Sequence, residues 1–221
     1  MKASEPMRRN FAVWMLAWAT SFAVAEPHVF TIYAQAPATA LPGETFTVEI
    51  WGQVQSPLWV HNVSAVAGFG IDVLGTGAVT SVSGTTIAHW ALDFGTNGNV
   101  VGMNILGTSG GQIFPPIINP VEPSEEFANP IMLFWFTAEA GDAGTMEFTP
   151  AHPNYFGGLS FYPYASNGAT IVAPNDAGTS LHLISATTLI IPAPGLMVVV
   201  LGLALARRQR FKVATIEGED V

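Results

Sequence analysis

The chain has 221 residues, no cysteine and a formal net charge of −9, which leaves room for one sandwich-sized domain but not for a disulfide framework. All seven Lys and Arg residues lie near the two ends, whereas the segment from Glu26 to Asp176 carries twelve acids and no Lys or Arg. A segment without cations cannot neutralise phosphates, which argues against nucleic acid and anionic lipid as partners. We expect divalent cations as its counter-ions, and the alternative is that the acids only keep the surface soluble.

The first 25 residues have the pattern of a secretion signal. Two arginines precede an apolar run, and the small residues Ala23 and Ala25 form a cleavage site before Glu26. We expect residues 1–25 to be removed on export, so that the mature protein begins at Glu26. An uncleaved N-terminal anchor is the alternative, which the small residues disfavour.

The folded domain is expected to follow a short N-terminal strand and linker. We assign the strand and linker to residues 26–40 and the domain to residues 41–188. Within the domain, Thr45–Trp51 alternates polar and apolar residues, which predicts a half-buried strand. The apolar members, expected to face the core, are Phe46, Val48 and Ile50.

Further strand patterns run through the rest of the domain. They lie at Val66–Leu74, Ile87–Asp93, Val100–Leu106, Ile131–Ala138, Gly144–Thr149, Ser160–Tyr164 and Leu181–Ile191. Asn97-Gly98 is typical of a hairpin turn. The apolar run around Trp135 indicates a central strand covered on both faces, with this residue buried. The Pro-rich stretch Gly107–Asn129 predicts a long loop or flap. Because no twelve-residue helical pattern occurs, we predict an all-β fold, an antiparallel β-sandwich.

One segment partly matches a calcium-binding loop. Asp93, Asn97 and Asn99 supply oxygens at positions one, five and seven, and Gly98 stands at position six. The carboxylate expected at position three is missing, and an ordinary Asn-Gly turn is the alternative. We predict no other cofactor, because the histidines have no metal-ligand spacing.

The sequence contains no recognisable catalytic motif. It lacks the nucleophile and phosphate-loop patterns, so no catalytic residue is predicted. A glycosidase needs two carboxyl groups across a cleft, and solvated side chains are the alternative reading of the candidate pairs. These are Glu44 with Glu49, Asp72 with Asp93, and the loop acids Glu122, Glu125 and Glu126. Trp51 and Trp59 flank a loop and are the candidates for stacking on sugar rings, and a position in the sandwich core is the alternative.

The C-terminal part, residues 189–210, has three features in order. A proline motif (Pro192, Ala193, Pro194 and Gly195) is followed by an uncharged apolar run and then by an arginine cluster (Arg207, Arg208 and Arg210). Positive charge after the run holds that flank in the cytoplasm. The twelve residues 195–206 would span only about 18 Å as a helix, against a hydrocarbon core of about 30 Å. A transient anchor fits better than a permanent one.

This order resembles the PEP-CTERM sorting signal in a Pro-Ala-Pro-Gly variant. The resemblance implies recognition and cleavage by an exosortase-type membrane enzyme in a Gram-negative bacterium that makes extracellular polysaccharide. Two departures are Ala193, which replaces the usual Glu, and the polar tail 211–221, which continues past the arginines.

The domain itself resembles cohesin-like and carbohydrate-binding jelly-roll sandwiches. The resemblance rests on Pro42-Gly-Glu-Thr-Phe-Thr-Val48, on Gly68-Phe69, and on Gly144-Thr-x-x-Phe148. Together the two resemblances imply a non-enzymatic surface or matrix protein, sorted through the inner membrane and associated with extracellular polysaccharide. A permanently membrane-anchored cohesin-like interaction module is the alternative, and an exported glycan hydrolase is the second.

Overall fold

The computed structural model describes residues 28–113, 123–152, 157–165 and 170–192. The predicted signal peptide, its cleavage site at Glu26 and the chain from Ala193 onward lie outside these residues. Within them, no helix is long and apolar enough to cross a bilayer.

The described chain consists of thirteen strands and two short helical turns. In chain order they are β1 (His28–Gln35), β2 (Thr39–Ala40), β3 (Thr45–Gln55), β4 (Ala65–Gly77), β5 (Val79–Val82), β6 (Thr86–Ile87), a 3-10 turn (His89–Ala91), β7 (Asn99–Val101), β8 (Asn104–Gly111), α1 (Pro123–Glu126), β9 (Ile131–Ala140), β10 (Gly144–Ala151), β11 (Gly158–Tyr162), β12 (Thr179–Ile184) and β13 (Ala186–Ile190).

The strands form two sheets. Sheet A has the order β12-β1-β3-β9-β5, with β6 also on β9, and sheet B has the order β2-β13-β10-β4-β8-β7, with β11 also on β4. The prediction of an all-β sandwich is confirmed. It was too narrow in calling the sandwich antiparallel, because β1 pairs with β12 and β2 with β13 in parallel. Strands that pair in parallel must be joined by a long connection. Here the two parallel pairs place the first strands, β1 and β2, beside the last strands, β12 and β13.

The core lies between the sheets and follows the alternation of the strands. The predicted inward set of β3, Phe46, Val48 and Ile50, is buried. Aromatic rings meet across the interface: Phe136 of sheet A lies edge-on to Phe148 of sheet B, with ring centroids 5.5 Å apart. Such rings contribute both buried area and specific geometry.

The strand predicted at Ile87–Asp93 is wrong beyond its first residue. The chain leaves β6 at Ile87 and forms the 3-10 turn, in which Ala91 N donates to Ala88 O at 3.0 Å. Trp90 and Ala91 are both buried. A strand would point these two neighbouring side chains to opposite faces, whereas the 3-10 turn buries both of them.

The hairpin predicted at Asn97-Gly98 is displaced along the chain. The tight turn lies at Gly102-Met103 between β7 and β8, where Gly102 has a φ of 63°. The predicted strand Val100–Leu106 is therefore folded back on itself. Gly98 does not form the turn. A glycine is needed at this position because a Cβ atom would collide with Oγ1 of Thr108.

The strand predicted at Leu181–Ile191 is two strands in different sheets. The chain passes from β12 in sheet A to β13 in sheet B at Ser185, whose hydroxyl donates to Oε1 of Glu147 at 2.7 Å. The last strand continues to Ile190, and Ile191 N donates to Ala40 O at 2.9 Å. Pro192 is exposed directly after this strand.

Candidate functional site

The outer face of sheet A presents two half-buried tryptophans and a carboxylate. Glu49 and Trp51 are two residues apart on β3 and therefore share a face. Indole Nε1 of Trp51 donates to Oε2 of Glu49 at 2.9 Å. Glu49 lies opposite Trp135 of β9 in the strand register, and a bulge between Ile50 and Trp51 places Trp51 opposite Met132. Bulges re-aim side chains in this way, and here both indoles belong to one surface.

Trp135 corrects the expectation that β9 is fully covered on both faces. Its neighbours Phe134 and Phe136 are buried, whereas Trp135 is only partly covered. Among the described residues, only the 3-10 turn and the segment around α1 lie beside Trp135 on the outer face of sheet A, and this residue keeps part of its surface exposed.

The 3-10 turn and the loop after α1 form the walls beside these tryptophans. Trp90 Nε1 donates to Met132 O at 2.7 Å, which fixes the 3-10 turn to β9. The side-chain amide of Asn129 accepts from Val54 N at 3.0 Å and donates to Val54 O at 2.7 Å. These bonds hold the loop against β3, so both walls are anchored to sheet A by hydrogen bonds to its backbone.

The walls enclose a cleft of about 360 Å³, which we call the sheet A cleft. Its principal lining residues are Trp51, Trp135, Met132, His89, Glu125 and Ala128. Nδ1 of His89 lies 3.7 Å from Oε2 of Glu125, and both side chains are about half exposed, at 51% and 55%. The cleft thus combines apolar aromatic surface with carboxylate and imidazole groups at its rim, which is the usual composition of a small-ligand site.

Trp59, the second predicted sugar-binding residue, does not line this cleft. Its ring packs on the core, with its centroid 5.6 Å from that of Phe161. The structure therefore separates the predicted pair Trp51 and Trp59 and instead brings Trp51 together with Trp135. Sequence reasoning also missed His89, Met132 and Ala128, which carry no motif.

The predicted calcium ligands lie along an exposed turn that continues into β7. Oδ2 of Asp93 accepts from Ile113 N at 2.9 Å, and Asn97 and Asn99 are exposed. In the described part of the chain, no three His, Asp or Glu side chains come together in a group that could hold a metal. Calcium binding through Asp93, Asn97 and Asn99 stays a prediction.

Asp93 also influences Tyr162. Burial raises the pKa of the Tyr162 hydroxyl, and the charge of Asp93 raises it further. The hydroxyl donates to Gln112 O at 3.1 Å, so Tyr162 helps to hold the end of β8.

Two further carboxylates proposed in pairs accept backbone hydrogen bonds. Oδ1 of Asp72 on β4 accepts from Gly107 N of the neighbouring strand β8, and Oε2 of Glu44 accepts from Leu41 N in the turn before β3, each at 2.6 Å. Charge-assisted bonds of this kind fix local backbone geometry.

The loop acids are separated from these carboxylates. Glu125 lines the sheet A cleft, Glu126 is buried at the end of α1, and Glu122 lies outside the described residues.

A second, larger depression lies on sheet B and was not expected from the sequence. It measures about 480 Å³, and its lining includes Gly68, Gly111, Phe94 and Ile171. Its carboxylate, Asp176, accepts from Ala173 N at 2.7 Å. Five of its lining residues are glycines, whereas the smaller sheet A cleft offers the indoles of Trp51 and Trp135 together with the carboxylate of Glu125. We therefore take the sheet A cleft as the candidate site.

Comparisons with known proteins concern the fold. No family model and no curated protein matches this chain. Among solved structures, the sixth cohesin from scaffoldin B of Acetivibrio cellulolyticus, in complex with a dockerin, is 8% identical over 73% of this chain and 99% of its own, with a TM-score of 0.44. A type II cohesin–X-dockerin complex from the same organism gives 11% identity, coverage of 74% and 99%, and a TM-score of 0.45.

A third solved structure is AvmM, which catalyses macrocyclization in alchivemycin A biosynthesis. It is 10% identical over 75% of this chain and 89% of its own, with a TM-score of 0.30. The class that strand pairing and the site define is an all-β sandwich with an aromatic cleft on one outer face.

Proposed function

We propose that this chain is an exported, non-catalytic surface or matrix protein whose domain binds extracellular polysaccharide at the sheet A cleft. The observation that carries the proposal is the placement of the Trp51 and Trp135 indoles, both half-buried, on one face beside Glu49. Amphipathic aromatic side chains with part of their surface in solvent are suited to ligands that have one apolar face.

The chemistry of the cleft fits a sugar ring. The C–H face of a pyranose packs on an indole, and its hydroxyl groups donate to carboxylates such as those of Glu49 and Glu125. A volume of about 360 Å³ lies within the usual range for small-ligand sites, about 300–1,000 Å³. The cleft therefore has room for a short stretch of a glycan chain.

The carboxylates nearest the indoles are engaged in side-chain contacts. Glu49 accepts the indole N–H of Trp51, and Glu125 lies beside His89. We propose that both carboxylates bind ligand hydroxyl groups. Hydrolysis by an exported glycosidase is the competing function, and product analysis tests it directly.

Export and sorting complete the proposal. The signal peptide delivers the domain, and the Pro-Ala-Pro-Gly segment with its arginines presents the chain to an exosortase-type enzyme. The exposed position of Pro192, directly after the last strand, supports this account because a processing enzyme needs an accessible, non-helical backbone. A permanently anchored cohesin-like interaction module is the alternative.

Binding is tested with the exported protein and the extracellular polysaccharide of its host. We expect affinity gel electrophoresis to show retardation that Trp51→Ala removes and Phe94→Ala retains, because Phe94 is an exposed aromatic outside the cleft. Release of reducing sugar during the incubation would support the hydrolase instead. Equal retardation of both variants would place binding elsewhere.

Sorting is tested by the mass of the protein in its native host. Loss of the chain after about residue 192, dependent on the exosortase, is the expected result. An intact, membrane-bound C-terminus in strains with and without that enzyme would favour the permanently anchored module.

A further inference from the structure

We infer that the sheet A cleft selects a glycan with free, protonated amino groups, such as a de-acetylated hexosamine polymer, over neutral and uronic-acid glycans. The inference rests on the proposed function, because it names the ligand class of the same site. It is carried by the charges around the two indoles.

The segment that contains the cleft carries acidic residues and no lysine or arginine. No Lys or Arg occurs between residues 10 and 206, and the segment from Glu26 to Asp176 carries twelve acids. The summed field of such a segment attracts cations and repels anions. A uronic-acid chain would approach this surface without any lysine or arginine counter-charge, whereas a chain of ammonium groups would meet complementary charge.

The local arrangement provides two kinds of contact for an ammonium group. A cation within about 6 Å of an indole centroid is attracted by the ring quadrupole, and the cleft offers two such rings in Trp51 and Trp135. Carboxylates stand on the same surface: Glu49 is opposite Trp135 in the register, and Glu125 lines the wall.

The two carboxylates are not equivalent. The Glu125 carboxylate already has a side-chain neighbour, because Nδ1 of His89 lies 3.7 Å from its Oε2. Glu49 is engaged through Oε2 by the neutral indole N–H of Trp51, which leaves its full negative charge. Glu49 is therefore the principal counter-ion in the inferred complex, and Trp51 holds it beside the ring on which the sugar stacks.

A lysine-rich peptide is also positively charged. We expect the aromatic surface of the sheet A cleft to favour an amino-sugar chain over such a peptide. Two indoles in one cleft present flat apolar area to a sugar face, and a lysine stem offers no comparable plane. An oligolysine of matched charge is therefore included as a competitor in the test.

The test is calorimetric titration of the exported protein with oligosaccharides of matched length. The four probes are a glucosamine oligomer, its N-acetylated form, a glucose oligomer and a uronic-acid oligomer, at a pH where the amines are protonated. We expect the glucosamine oligomer to bind about tenfold more tightly than either neutral form and to weaken as salt rises from about 50 to about 500 mM. The uronic-acid oligomer should not bind.

Matched variants assign the charge effect. Glu49→Gln keeps an oxygen for the Trp51 indole but removes the charge, so it should reduce glucosamine binding about fivefold or more and reduce glucose binding by a clearly smaller factor. Glu147→Gln is the control, because Glu147 lies exposed on β10 of sheet B and its loss should change neither affinity.

The outcomes separate the inference from the proposed function. Equal affinity for glucosamine and glucose oligomers, unaffected by Glu49→Gln, would overturn the inference and leave the polysaccharide proposal standing. Oligolysine binding as tightly as the glucosamine oligomer would overturn the sugar selectivity. Absence of binding by all four oligosaccharides would overturn both.

Discussion

Trp51 and Glu49 form a side-chain pair along one strand, with the indole Nε1 donating to Oε2 at 2.9 Å. Side chains at positions i and i+2 of a strand point to the same face, so the bond runs along the outer surface of sheet A. It orients the indole and keeps a carboxylate beside it. This pair is the centre of the proposed binding surface.

The first prediction separates the ring from its hydrogen bond. Trp51→Ala should weaken polysaccharide binding about fivefold or more, since an aromatic contact contributes about 1 kcal/mol. Trp51→Phe should lose less, because it retains a ring but no donor. Affinity electrophoresis measures both, and an alanine variant that binds as well as the phenylalanine variant would remove stacking from the account.

The second prediction compares neighbours on β9. Phe136 is 1% exposed, whereas Trp135 is half-buried on the opposite face. Phe136→Ala should lower the free energy of unfolding by about 3 to 5 kcal/mol, and Trp135→Ala by about 1 to 2 kcal/mol, since less area leaves water. Urea denaturation gives both values. A larger cost at Trp135 would mean that it belongs to the core.

The third prediction concerns two glycines with left-handed backbone. Gly77 and Gly102 have φ values of 81° and 63°. A Cβ atom at Gly77 would collide with the backbone oxygen of Thr145, whereas Gly102 has open space around it. Gly102→Ala should cost about 1 to 2 kcal/mol from backbone strain, and Gly77→Ala about 2 to 5 kcal/mol from strain and overlap. Similar melting temperatures for the two variants would contradict the close approach of Gly77 on β4 to the backbone of Thr145 on β10.

The fourth prediction is a pH dependence of stability at Glu126. This residue is 8% exposed, and burial raises the pKa of its carboxyl above the usual range. The folded protein therefore retains the proton to higher pH than the unfolded chain, so this contribution to stability is present at low pH. It is lost as pH rises from the ordinary carboxyl pKa through the raised one.

Glu126→Gln removes that titration. The variant should match the parent protein at low pH and become more stable than it towards neutral pH, where the parent carries a buried charge. Urea unfolding across a pH series measures the difference. A difference that does not change with pH would show that the carboxyl titrates alike in both states.

Alternation in the sequence predicted the strands that form the middle of the sheets. The segments Thr45–Trp51 and Gly144–Thr149 were placed correctly because one face of each strand is buried and the other is solvated. The pattern cannot show which sheet a strand joins, so the change of sheet at Ser185 was missed. Both sheets offer the same apolar interior to Leu183 and Ile190.

The sequence predicted only part of the candidate site. Trp51 was predicted to contact ligand from its residue type and its place near a loop. Trp135 was expected to be buried, because an apolar run does not show how little covers the outer face of β9. His89 and Glu125 meet only through the fold, which brings the 3-10 turn and α1 together.

The most direct test of the proposed site is the response of the individual indole N–H groups to bound glycan. In ¹⁵N-labelled exported protein, titration with the host polysaccharide oligomer should shift the indole signals of Trp51 and Trp135. The signal of Trp59, which packs on Phe161 outside the cleft, should stay in place. A shift confined to Trp59, or no indole shift at saturating ligand, would contradict a polysaccharide site in the sheet A cleft.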